Sequence, residues 1–413
     1  MGNKSQMHPI RSYNMLFALR ENRPLIAFPL MKNTRQPLRV AIIYPKAIGD
    51  FMFVLPALHT LRQALPDADI TLVVKRKQAP LALPQKGRLV DDVLVLGSGN
   101  SWYRVRRALA QRKIDTMLDL VGNDQSGLLM ALRGGRRIRP DSENCKGKAA
   151  LYSAFATAMP PLPLGHHRVD ELLRYVSFLQ EHDPVYSFRL TLPPEAVDAC
   201  EEMIAAHDLR SGKVVVLNIG ASRDTKRWPA HHFRTLAQEL ISAGYRVVFT
   251  GARTFRSDDD YDRKMAEQFL QDGLVDGEKC IDCITGHPVA PDLQLQRDAY
   301  FLRYSGVPAV VVGNDTGPMQ IAGSVGEDAR NHCVSLFGPT NWGRYAPYDP
   351  TRHYPEKPAG DWNHVLCSSC VCIPKGHQEA CKCYRRGCGH KQCMSLLAPE
   401  KVLEAVVAKV PLV

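Results

Sequence analysis

One acidic residue stands where a strand-like segment of the sequence passes into a helix-like segment. The apolar run RVAIIYP leads into AIGDF at residues 47 to 51. Gly49 lets the backbone turn tightly, and Asp50 is expected at the carboxyl edge of a sheet, where its carboxylate could remove a proton from an acceptor hydroxyl. Asp50 could also be the N-cap of the helix, because aspartate satisfies open helical amides. The spacing leaves both interpretations open.

A second strand-to-helix junction combines small residues with a lysine. In NIGASRDTKRWP, residues 218 to 229, the small residues Gly220, Ala221 and Ser222 would let a phosphate approach backbone amides near a helix N-terminus. Lys226 adds a compact positive charge. The segment therefore predicts a cradle for a diphosphate. The alternative is an ordinary loop in which Lys226 is solvated and the Trp-Pro pair packs at the start of the helix.

A third junction joins a buried-looking strand to a helix of small residues in VVGNDTGPMQIAGSVG, residues 311 to 326. At the end of the strand, Asp315, Thr316 and Gly317 present an acceptor, a hydroxyl and a backbone that a ligand can approach closely. This combination suits recognition of a ribose or a diphosphate. A capped turn, with Pro318 in the first turn of the helix, explains the same residues, and periodicity does not separate the two.

The cysteines are concentrated near the C-terminus, where seven of the twelve lie together with three histidines. The pair at 367 and 370 has the CxxC spacing with which two thiolates reach one tetrahedral metal ion. A structural zinc site, an iron–sulfur cluster and disulfides stay open as alternatives, because ligand pairing cannot be read from such irregular spacing. The candidate ligands are Cys367, Cys370, Cys372, Cys381, Cys383, Cys388 and Cys393, with His364, His377 and His390 close by.

Another CxxC, formed by Cys280 and Cys283, lies in the strand-like context CIDCIT. This context predicts that both thiols are packed in a core rather than bound to a metal.

The composition is that of a globular protein large enough for two lobes. A chain of 413 residues exceeds one ordinary hydrophobic core, and its 45% hydrophobic and 23% charged residues are ordinary values. No run of about 18 uncharged apolar residues is present, and the N-terminal segment does not fit a signal peptide. Without a signal peptide, the cysteine cluster suggests a reduced compartment.

Lysine and arginine outnumber aspartate and glutamate by 53 to 42, which favours anionic partners. Two basic clusters in the first half are candidates for contact with an anionic partner, although a solvated face is the alternative. They are Lys75, Arg76 and Lys77, and Arg133, Arg136, Arg137 and Arg139. No compact stripe of basic and aromatic residues is evident, which argues against a nucleic-acid partner.

Two series of alternating strand-like and helix-like segments make up most of the chain. The first runs through RVAIIYP, DITLVVK, VDDVLVLG and IDTMLDL, and the second through KVVVLNIG, YRVVFTG, PAVVVGND and HCVSLFG. Such alternation predicts parallel sheets covered on both faces. We therefore expect an α/β fold of two Rossmann-like lobes whose parallel sheets face a central cleft, with ligands at the carboxyl ends of the strands.

The predicted boundaries follow proline-rich connectors and the cysteine-rich stretch. They give an N-terminal arm at 1–37, a first lobe at 38–185, a second lobe at 195–360, a Cys-rich segment at 361–396 and a closing helix at 397–413.

Four segments resemble, in order and spacing, the heptosyltransferases of glycosyltransferase family nine. They are AIGDFMFVLPALHTLRQALPDADITLVV, NIGASRDTKRWPAHHFRTLAQELISAGYRVVFTG, VVGNDTGPMQIAG and SLFGPTNWGRYAP. The resemblance runs from about Arg39 through Pro347. It implies a GT-B fold and an inverting transfer without an essential metal, with Asp50 as the general base. It also implies that the first lobe binds the acceptor, and that the donor nucleotide and its diphosphate contact Ser222, Lys226, Asp315, Thr316 and Gly317.

The sequence departs from the family pattern at two positions. Where the family usually has a histidine three residues after the glycine of Asp-Thr-Gly, this chain has Gln320, whose amide can donate a hydrogen bond to a phosphate but cannot become a cation. After YRVVFTGA the family often supplies a glutamate for the donor ribose, whereas this chain continues RTFRSDDDYDR, with Asp258 and Asp259 as candidate substitutes.

The expected activity is transfer of a sugar, with ADP-heptose as the first choice of donor, to a lipopolysaccharide core or a related glycan acceptor. A nucleotide-sugar epimerase of the same fold and a non-enzymatic nucleic-acid-binding protein are the alternatives. Because the expected acceptor is a membrane lipid, we also expect peripheral contact with the inner face of the cytoplasmic membrane, aided by the basic arm at 1–37.

Overall fold

The computed structural model describes residues 37–131, 135–140, 156–159, 166–180, 182–252, 261–326, 331–350, 362–367 and 392–411. Residues 38–413 form one compact unit. The predicted arm at 1–37 lies outside the described residues, except for Pro37.

The first sheet is built from the strands β1 (Arg39–Ile43), β2 (Asp69–Lys75), β3 (Asp92–Leu96), β4 (Thr116–Asp119), β5 (Arg136–Pro140) and β6 (Thr157–Met159). Their order across the sheet is β3-β2-β1-β4-β5-β6, and neighbouring strands are parallel. At the centre, Ile43 of β1 pairs with Val73 on one side and Asp119 on the other.

The second sheet contains β7 (Val214–Asn218), β8 (Arg246–Thr250), β9 (Cys280–Asp282), β10 (Pro308–Asn314), β11 (His332–Phe337) and β12 (Asn363–Cys367). Its order is β12-β11-β10-β7-β8-β9, again with parallel neighbours. Both sheets thus have the same strand order, and the direction of chain progression reverses between β1 and β4 and between β7 and β10. These reversals are the positions at which doubly wound sheets bind ligands.

Helices connect the strands and cover the sheets. Their bounds are α1 (Ile48–Ala64), α2 (Ala79–Ala82), α3 (Ser101–Gln111), α4 (Asp124–Met130), α5 (Arg168–Ser177), α6 (Pro194–Ala206), α7 (Ala230–Ser242), α8 (Tyr261–Gln271), α9 (Pro291–Arg303), α10 (Gly317–Gly323), α11 (Trp342–Tyr345), α12 (Gln392–Ser395) and α13 (Pro399–Lys409). The α/β fold with two parallel sheets that the sequence predicts is confirmed.

Helix α1 is buried on most of its circumference, unlike a helix at the protein surface. Phe51, Val54, Leu55 and Leu58 are all buried. The helix packs against α5 of the same lobe and α10 of the second lobe. Its nearly continuous apolar sequence is therefore explained by packing on several sides rather than by one apolar stripe.

Among the helices that the structure describes, none combines the length and the apolar character needed to cross a lipid bilayer.

Candidate functional site

The three predicted motifs follow the central strands of the two sheets. AIGDF follows β1, the loop at 219–229 follows β7, and Asp315 follows β10 directly. Each motif therefore lies at the carboxyl edge of its sheet, beside the reversal in strand order where a crevice opens. The topology thus places the motifs at the expected ligand-binding edges of both lobes.

The N-termini of α1 and α10, which come from different lobes, meet directly. A Cβ atom added to Gly49 would lie 3.0 Å from Cα of Gly317 and 3.1 Å from Cγ of Gln320. A Cβ added to Gly317 would lie 3.1 Å from the backbone nitrogen of Gly49. The first and third motifs are therefore in contact, and the two glycines make this approach of the two backbones possible.

Asp50 lies at the third position of α1, not at its N-cap. The N-cap residue is Ala47, and its N–H donates a hydrogen bond of 3.1 Å to Oδ2 of Asp50. The interpretation of Asp50 as the N-cap is therefore wrong in position, although its side chain does satisfy an open amide. Oδ1 makes no hydrogen bond with any residue that the structure describes, so one carboxylate oxygen stays available to a substrate.

Two asparagines, Asn314 and Asn218, connect the ends of β10 and β7 to the segments around them. The Nδ2 group of Asn314 donates to the carbonyls of Ile219 and Gly220, each at 3.1 Å. Oδ1 of Asn314 accepts the backbone N–H of Trp228 at 2.9 Å. Trp228 is fully buried, so the loop is held at both ends.

The other asparagine, Asn218, accepts a hydrogen bond of 3.1 Å from the hydroxyl of Thr316. Its Nδ2 group donates to the hydroxyl of Thr250 at 3.2 Å. Thr316 is thereby tied to the end of β7. Sequence reasoning missed both asparagines, because each ends an apolar strand and its partners are far away in the chain.

Lys226 and Asp315 form an ion pair that links the second and third motifs. Nζ of Lys226 lies 2.6 Å from Oδ2 of Asp315, and the two side chains are only 12% and 8% exposed. The alternative in which Lys226 is solvated is therefore wrong. The structure brings these two predicted donor residues together, whereas Ser222 lies on an exposed part of the loop.

The side of Gly220 at which the motif predicts a phosphate faces the carboxylate of Asp262 instead. A Cβ on Gly220 would clash with the carboxylate of Asp262. Oδ2 of Asp262 accepts the N–H of Ala252 at 2.8 Å. The space beside Gly220 thus admits a carboxylate of α8. Asp262 belongs to the acidic stretch in which Asp258 and Asp259 were the candidates, and these two lie outside the described residues.

Gln320 is buried and uses its amide within the protein. Its Nε2 group donates to the carbonyl of Tyr345 at 2.7 Å, and Oε1 is buried with no hydrogen-bond partner among the described residues. Gln320 therefore connects α10 to α11, and its predicted contact with the donor stays a prediction.

Lys46 of the first lobe interacts electrostatically with Asp50 and with a second basic group, Arg168. Burial lowers the pKa of Lys46, and the carboxylate of Asp50 opposes this shift because it favours the ammonium. Burial also disfavours the charge of Arg168, but Tyr44 and Glu171 outweigh it and raise the pKa of the guanidinium. Arg168 thus keeps its positive charge in the buried part of the first lobe.

Glu171 joins this basic group to the second lobe. Its Oε2 lies 2.6 Å from Nη1 of Arg168 and also pairs with Arg344 of α11. Burial raises the pKa of Glu171, but Arg168 and Arg344 outweigh it and the pKa is lowered. A second link is the ring of His167, whose Nδ1 accepts the N–H of Val169 at 3.2 Å and whose Nε2 therefore donates to the carbonyl of Ala346 at 2.8 Å.

The predicted basic clusters are partly buried. Arg137 and Arg139 are only 8% and 3% exposed, and Nη2 of Arg139 lies 3.9 Å from the buried Asp119. Arg136 stacks over Phe178 at 5.2 Å from the ring centroid. The solvated-face alternative is therefore wrong for Arg137 and Arg139, and Arg133 lies outside the described residues.

Only two of the seven clustered cysteines lie within the described residues. Cys367 ends β12, and Cys393 is buried in the second lobe. The other five, with His377 and His390, are outside the described ranges. Within those ranges no group of three or more histidine, cysteine or acidic residues could hold a metal ion, so the zinc hypothesis gains no support there. The prediction of buried packing is confirmed for Cys280 and Cys283.

Comparison with known proteins identifies relatives of this chain. A family model described as glycosyltransferase family 9 (heptosyltransferase) matches residues 102–355. Over 383 residues the chain is 24% identical to lipopolysaccharide heptosyltransferase 1 of Pseudomonas aeruginosa, covering 90% of this chain and 98% of that protein.

Two solved structures share the fold. The glycosyl transferase family 9 protein of Veillonella parvula has a TM-score of 0.62 at 20% identity, covering 91% of this chain and 97% of that chain. The E. coli heptosyltransferase WaaC with ADP has a TM-score of 0.61 at 18% identity, covering 90% and 100%. These similarities confirm the predicted GT-B fold.

Proposed function

Because this chain belongs to glycosyltransferase family 9, we propose that it transfers a sugar from a nucleotide to an acceptor of the lipopolysaccharide core, with ADP-heptose as the first choice of donor. The Pseudomonas aeruginosa relative is named as a lipopolysaccharide heptosyltransferase, and the WaaC structure is described with ADP. The observation that carries the proposal is the contact of Gly49 with Gly317. Asp50 directly follows Gly49, and Gly317 belongs to the motif after β10, so this contact brings the proposed base close to the proposed donor motif.

In the proposed reaction, Asp50 takes the proton of an acceptor hydroxyl while the hydroxyl oxygen attacks the anomeric carbon of the donor sugar. The bond from this carbon to the diphosphate oxygen breaks, and the configuration is inverted. The N–H of Ala47 orients the carboxylate through Oδ2, and Oδ1 receives the proton. General-base assistance of this kind contributes about 10²–10⁴-fold to the rate.

The departing nucleoside diphosphate is stabilised in this proposal by the second lobe. Lys226 supplies positive charge, and backbone amides around Ser222 and Thr316 supply hydrogen-bond donors. The ion pair with Asp315 holds the Lys226 ammonium in place. Gln320 donates a hydrogen bond to Tyr345 and thereby holds α11 against α10, the helix that follows the proposed donor motif.

The proposed chemistry uses a protein carboxylate as base and a protein cation at the leaving group, and it assigns no catalytic role to a metal. Structural zinc in the Cys-rich segment is a separate hypothesis. Removal of metal by a chelator should lower both the metal content and the melting temperature. If neither quantity changed, the zinc hypothesis would be rejected.

We place the reaction at the inner face of the cytoplasmic membrane, because the proposed acceptor is a glycolipid. The enzyme would meet this acceptor as a peripheral protein, with the first lobe taking the acceptor and the second lobe taking the nucleotide.

Product analysis tests the proposal and separates it from a nucleotide-sugar epimerase. The protein is incubated with ADP-heptose, with and without a lipopolysaccharide-core acceptor that lacks heptose. A transferase releases ADP in step with glycosylated acceptor, and only slowly without the acceptor. An epimerase converts the sugar nucleotide when no acceptor is present. If neither ADP-heptose nor other nucleotide sugars gave acceptor-dependent release, the proposed function would be wrong.

Thermal-shift binding of ADP, UDP, GDP and CMP identifies the nucleotide independently of the acceptor. Selective stabilisation by ADP supports ADP-heptose as the donor, whereas selective stabilisation by another nucleotide would replace it.

A further inference from the structure

Helix α3 presents an exposed face that combines an aromatic side chain with arginines. Tyr103 is 63% exposed, and Arg104 and Arg107 are exposed on the same helix. The opposite face is buried through Val105 and Leu109. The exposed face is therefore not needed to hold the helix on the sheet.

The positive charge of this face is not neutralised locally. Helix α3 carries three arginines and no acidic residue. The side chains of Arg104 and Arg107 make no ion pair or hydrogen bond with any residue in the described part of the chain. The third arginine, Arg106, instead donates to the carbonyls of Leu128 and Ala131 at 3.2 and 3.3 Å.

Arg106 also lies beside an aromatic side chain of its own helix. Its guanidinium carbon lies 5.8 Å from the ring centroid of Trp102. Leu128 of α4, whose carbonyl accepts from Arg106, is 45% exposed. We call the surface formed by Trp102, Tyr103, Arg104, Arg107 and Leu128 the α3 surface.

The α3 surface begins at the edge of the first lobe that also carries Asp50. Helix α1 follows β1 and α3 follows β3, and these strands are parallel members of one sheet. Both helices therefore start at the carboxyl edge of that sheet. The first turn of α3, which contains Trp102 and Tyr103, is at this edge.

We propose that the α3 surface docks the enzyme on a bilayer that contains anionic phospholipids. This inference rests on the proposed function, since a glycolipid acceptor is presented by such a bilayer. Arginines attract anionic headgroups, while tyrosine, tryptophan and leucine enter the boundary between headgroups and acyl chains. An acidic protein partner would match the arginines, but the exposed Tyr103 and Leu128 beside unpaired arginines favour the bilayer.

Vesicle flotation with the full chain tests the proposal directly. Vesicles of phosphatidylcholine alone are compared with vesicles that also contain phosphatidylglycerol. The wild type should float with the anionic vesicles only. The variant Tyr103→Ala/Arg104→Glu should bind the anionic vesicles at least about tenfold more weakly than the wild type. The reason is that one cation is reversed and one aromatic ring is lost.

The matched control lies on α8 of the second lobe, where Leu270 and Lys264 are also an exposed apolar residue and an exposed cation. The variant Leu270→Ala/Lys264→Glu should bind the anionic vesicles like the wild type. Equal binding by the two double variants, or no binding of the wild type, would overturn the proposal. Self-association of the wild type that is lost in the α3 variant, without vesicle binding, would assign the surface to a second copy instead.

A third readout keeps this proposal separate from the proposed function. With a water-soluble acceptor that lacks acyl chains, the α3 variant should transfer sugar at the wild-type rate, and its melting temperature should be unchanged. If the wild type transferred no sugar but still bound the anionic vesicles, the proposed transferase function would be rejected. The proposal that the α3 surface docks on the bilayer would stand. A rate that falls equally with soluble and vesicle-bound acceptor would contradict docking as the role of the α3 surface.

Discussion

Gly49 of the first lobe and Gly317 of the second lobe are so close that a Cβ on Gly49 would lie 3.0 Å from Cα of Gly317. Each glycine is the neighbour of a predicted functional residue, Asp50 in one case and Thr316 in the other. The proposed base and the proposed donor motif are thus brought together by backbone contact. Their relative position depends on glycine at both sites.

Substitution of Gly49 by alanine should impair catalysis more than folding. The added Cβ requires the α10 backbone or the side chain of Gln320 to shift by a few tenths of an ångström. A misplacement of about 1 Å can cost about 10²-fold in rate, so a smaller shift should cost less than this. We expect kcat to fall at least about tenfold, with a loss of unfolding free energy of about 1–3 kcal/mol. Gly97→Ala is the control, because its Cβ would meet Ser101 at 3.9 Å. Equal activity of both variants would contradict this account.

The ion pair of Lys226 with Asp315 should appear as coupling in a double-mutant cycle of Lys226→Met and Asp315→Asn. Each single change removes one charge and leaves the other mostly buried without its partner, so each should cost about 3 kcal/mol. The double variant should cost less than the sum by more than about 1 kcal/mol. Urea unfolding measures these free energies. If the losses in unfolding free energy of the two single variants added up to the loss of the double variant, Lys226 and Asp315 would not be coupled and the ion pair would not stabilise the fold.

Lys226→Met should also weaken binding of the nucleoside diphosphate by about tenfold or more, because the compact charge at the leaving group is removed. The exposed Lys401 of α13 provides the control. Calorimetry should show an unchanged affinity for Lys401→Met. An unchanged affinity for Lys226→Met would remove this lysine from the donor site.

Asp170 should make stability fall as the pH rises. Burial raises the pKa of this carboxyl to about 6, although the backbone N–H of His167 opposes the shift, and the unfolded value is about 3.9. The folded state therefore binds the proton more tightly than the unfolded state. The contribution of Asp170 to the free energy of unfolding is fully present below pH of about 4 and is lost as the pH rises through about 6. Asp170→Asn should be more stable than the wild type by about 1–2 kcal/mol at neutral pH.

Urea unfolding of both proteins as a function of pH measures this effect. The advantage of Asp170→Asn should disappear near pH of about 4. An advantage that is the same at all pH values would exclude the protonation of Asp170 as its cause.

Arg344→Gln should loosen the contact between the lobes without unfolding the protein. Glu171 keeps its partner Arg168 at 2.6 Å, but the link to α11 is lost. We expect a loss of about 1–2 kcal/mol in unfolding free energy and a several-fold lower kcat/KM. Arg234→Gln, which removes a more exposed pair with Asp272, should change stability by less than about 0.5 kcal/mol. Identical behaviour of the two variants would argue against a link between the lobes at Arg344.

The architecture could be predicted from the sequence because its signals are local. Each apolar run of strand length is followed by a turn and a helix-length segment, and this alternation permits few arrangements other than parallel sheets. The motifs at Asp50, Lys226 and Asp315 could be placed for the same reason, since each directly follows a strand. Their common position at the carboxyl edges depends only on the strand order.

The details of the site depend on contacts between distant residues, which local patterns do not contain. Asn314 holds a loop that lies 94 residues away along the chain, and Glu171 contacts Arg344 across 173 residues. The N-cap was misplaced because Ala47, which has no polar side chain, takes that position while Asp50 acts from the third position. Asp262 was missed because its partner Gly220 is recognisable only in three dimensions.

The most direct test of the central claim is the transfer rate of Asp50→Asn with donor and acceptor both saturating. The substitution keeps an oxygen for the N–H of Ala47 but removes the base. The account predicts a fall in kcat of about 10²-fold or more, with an unchanged affinity for the nucleoside diphosphate and an unchanged melting temperature. A variant that retains a tenth or more of the wild-type kcat would contradict the assignment of Asp50 as the general base.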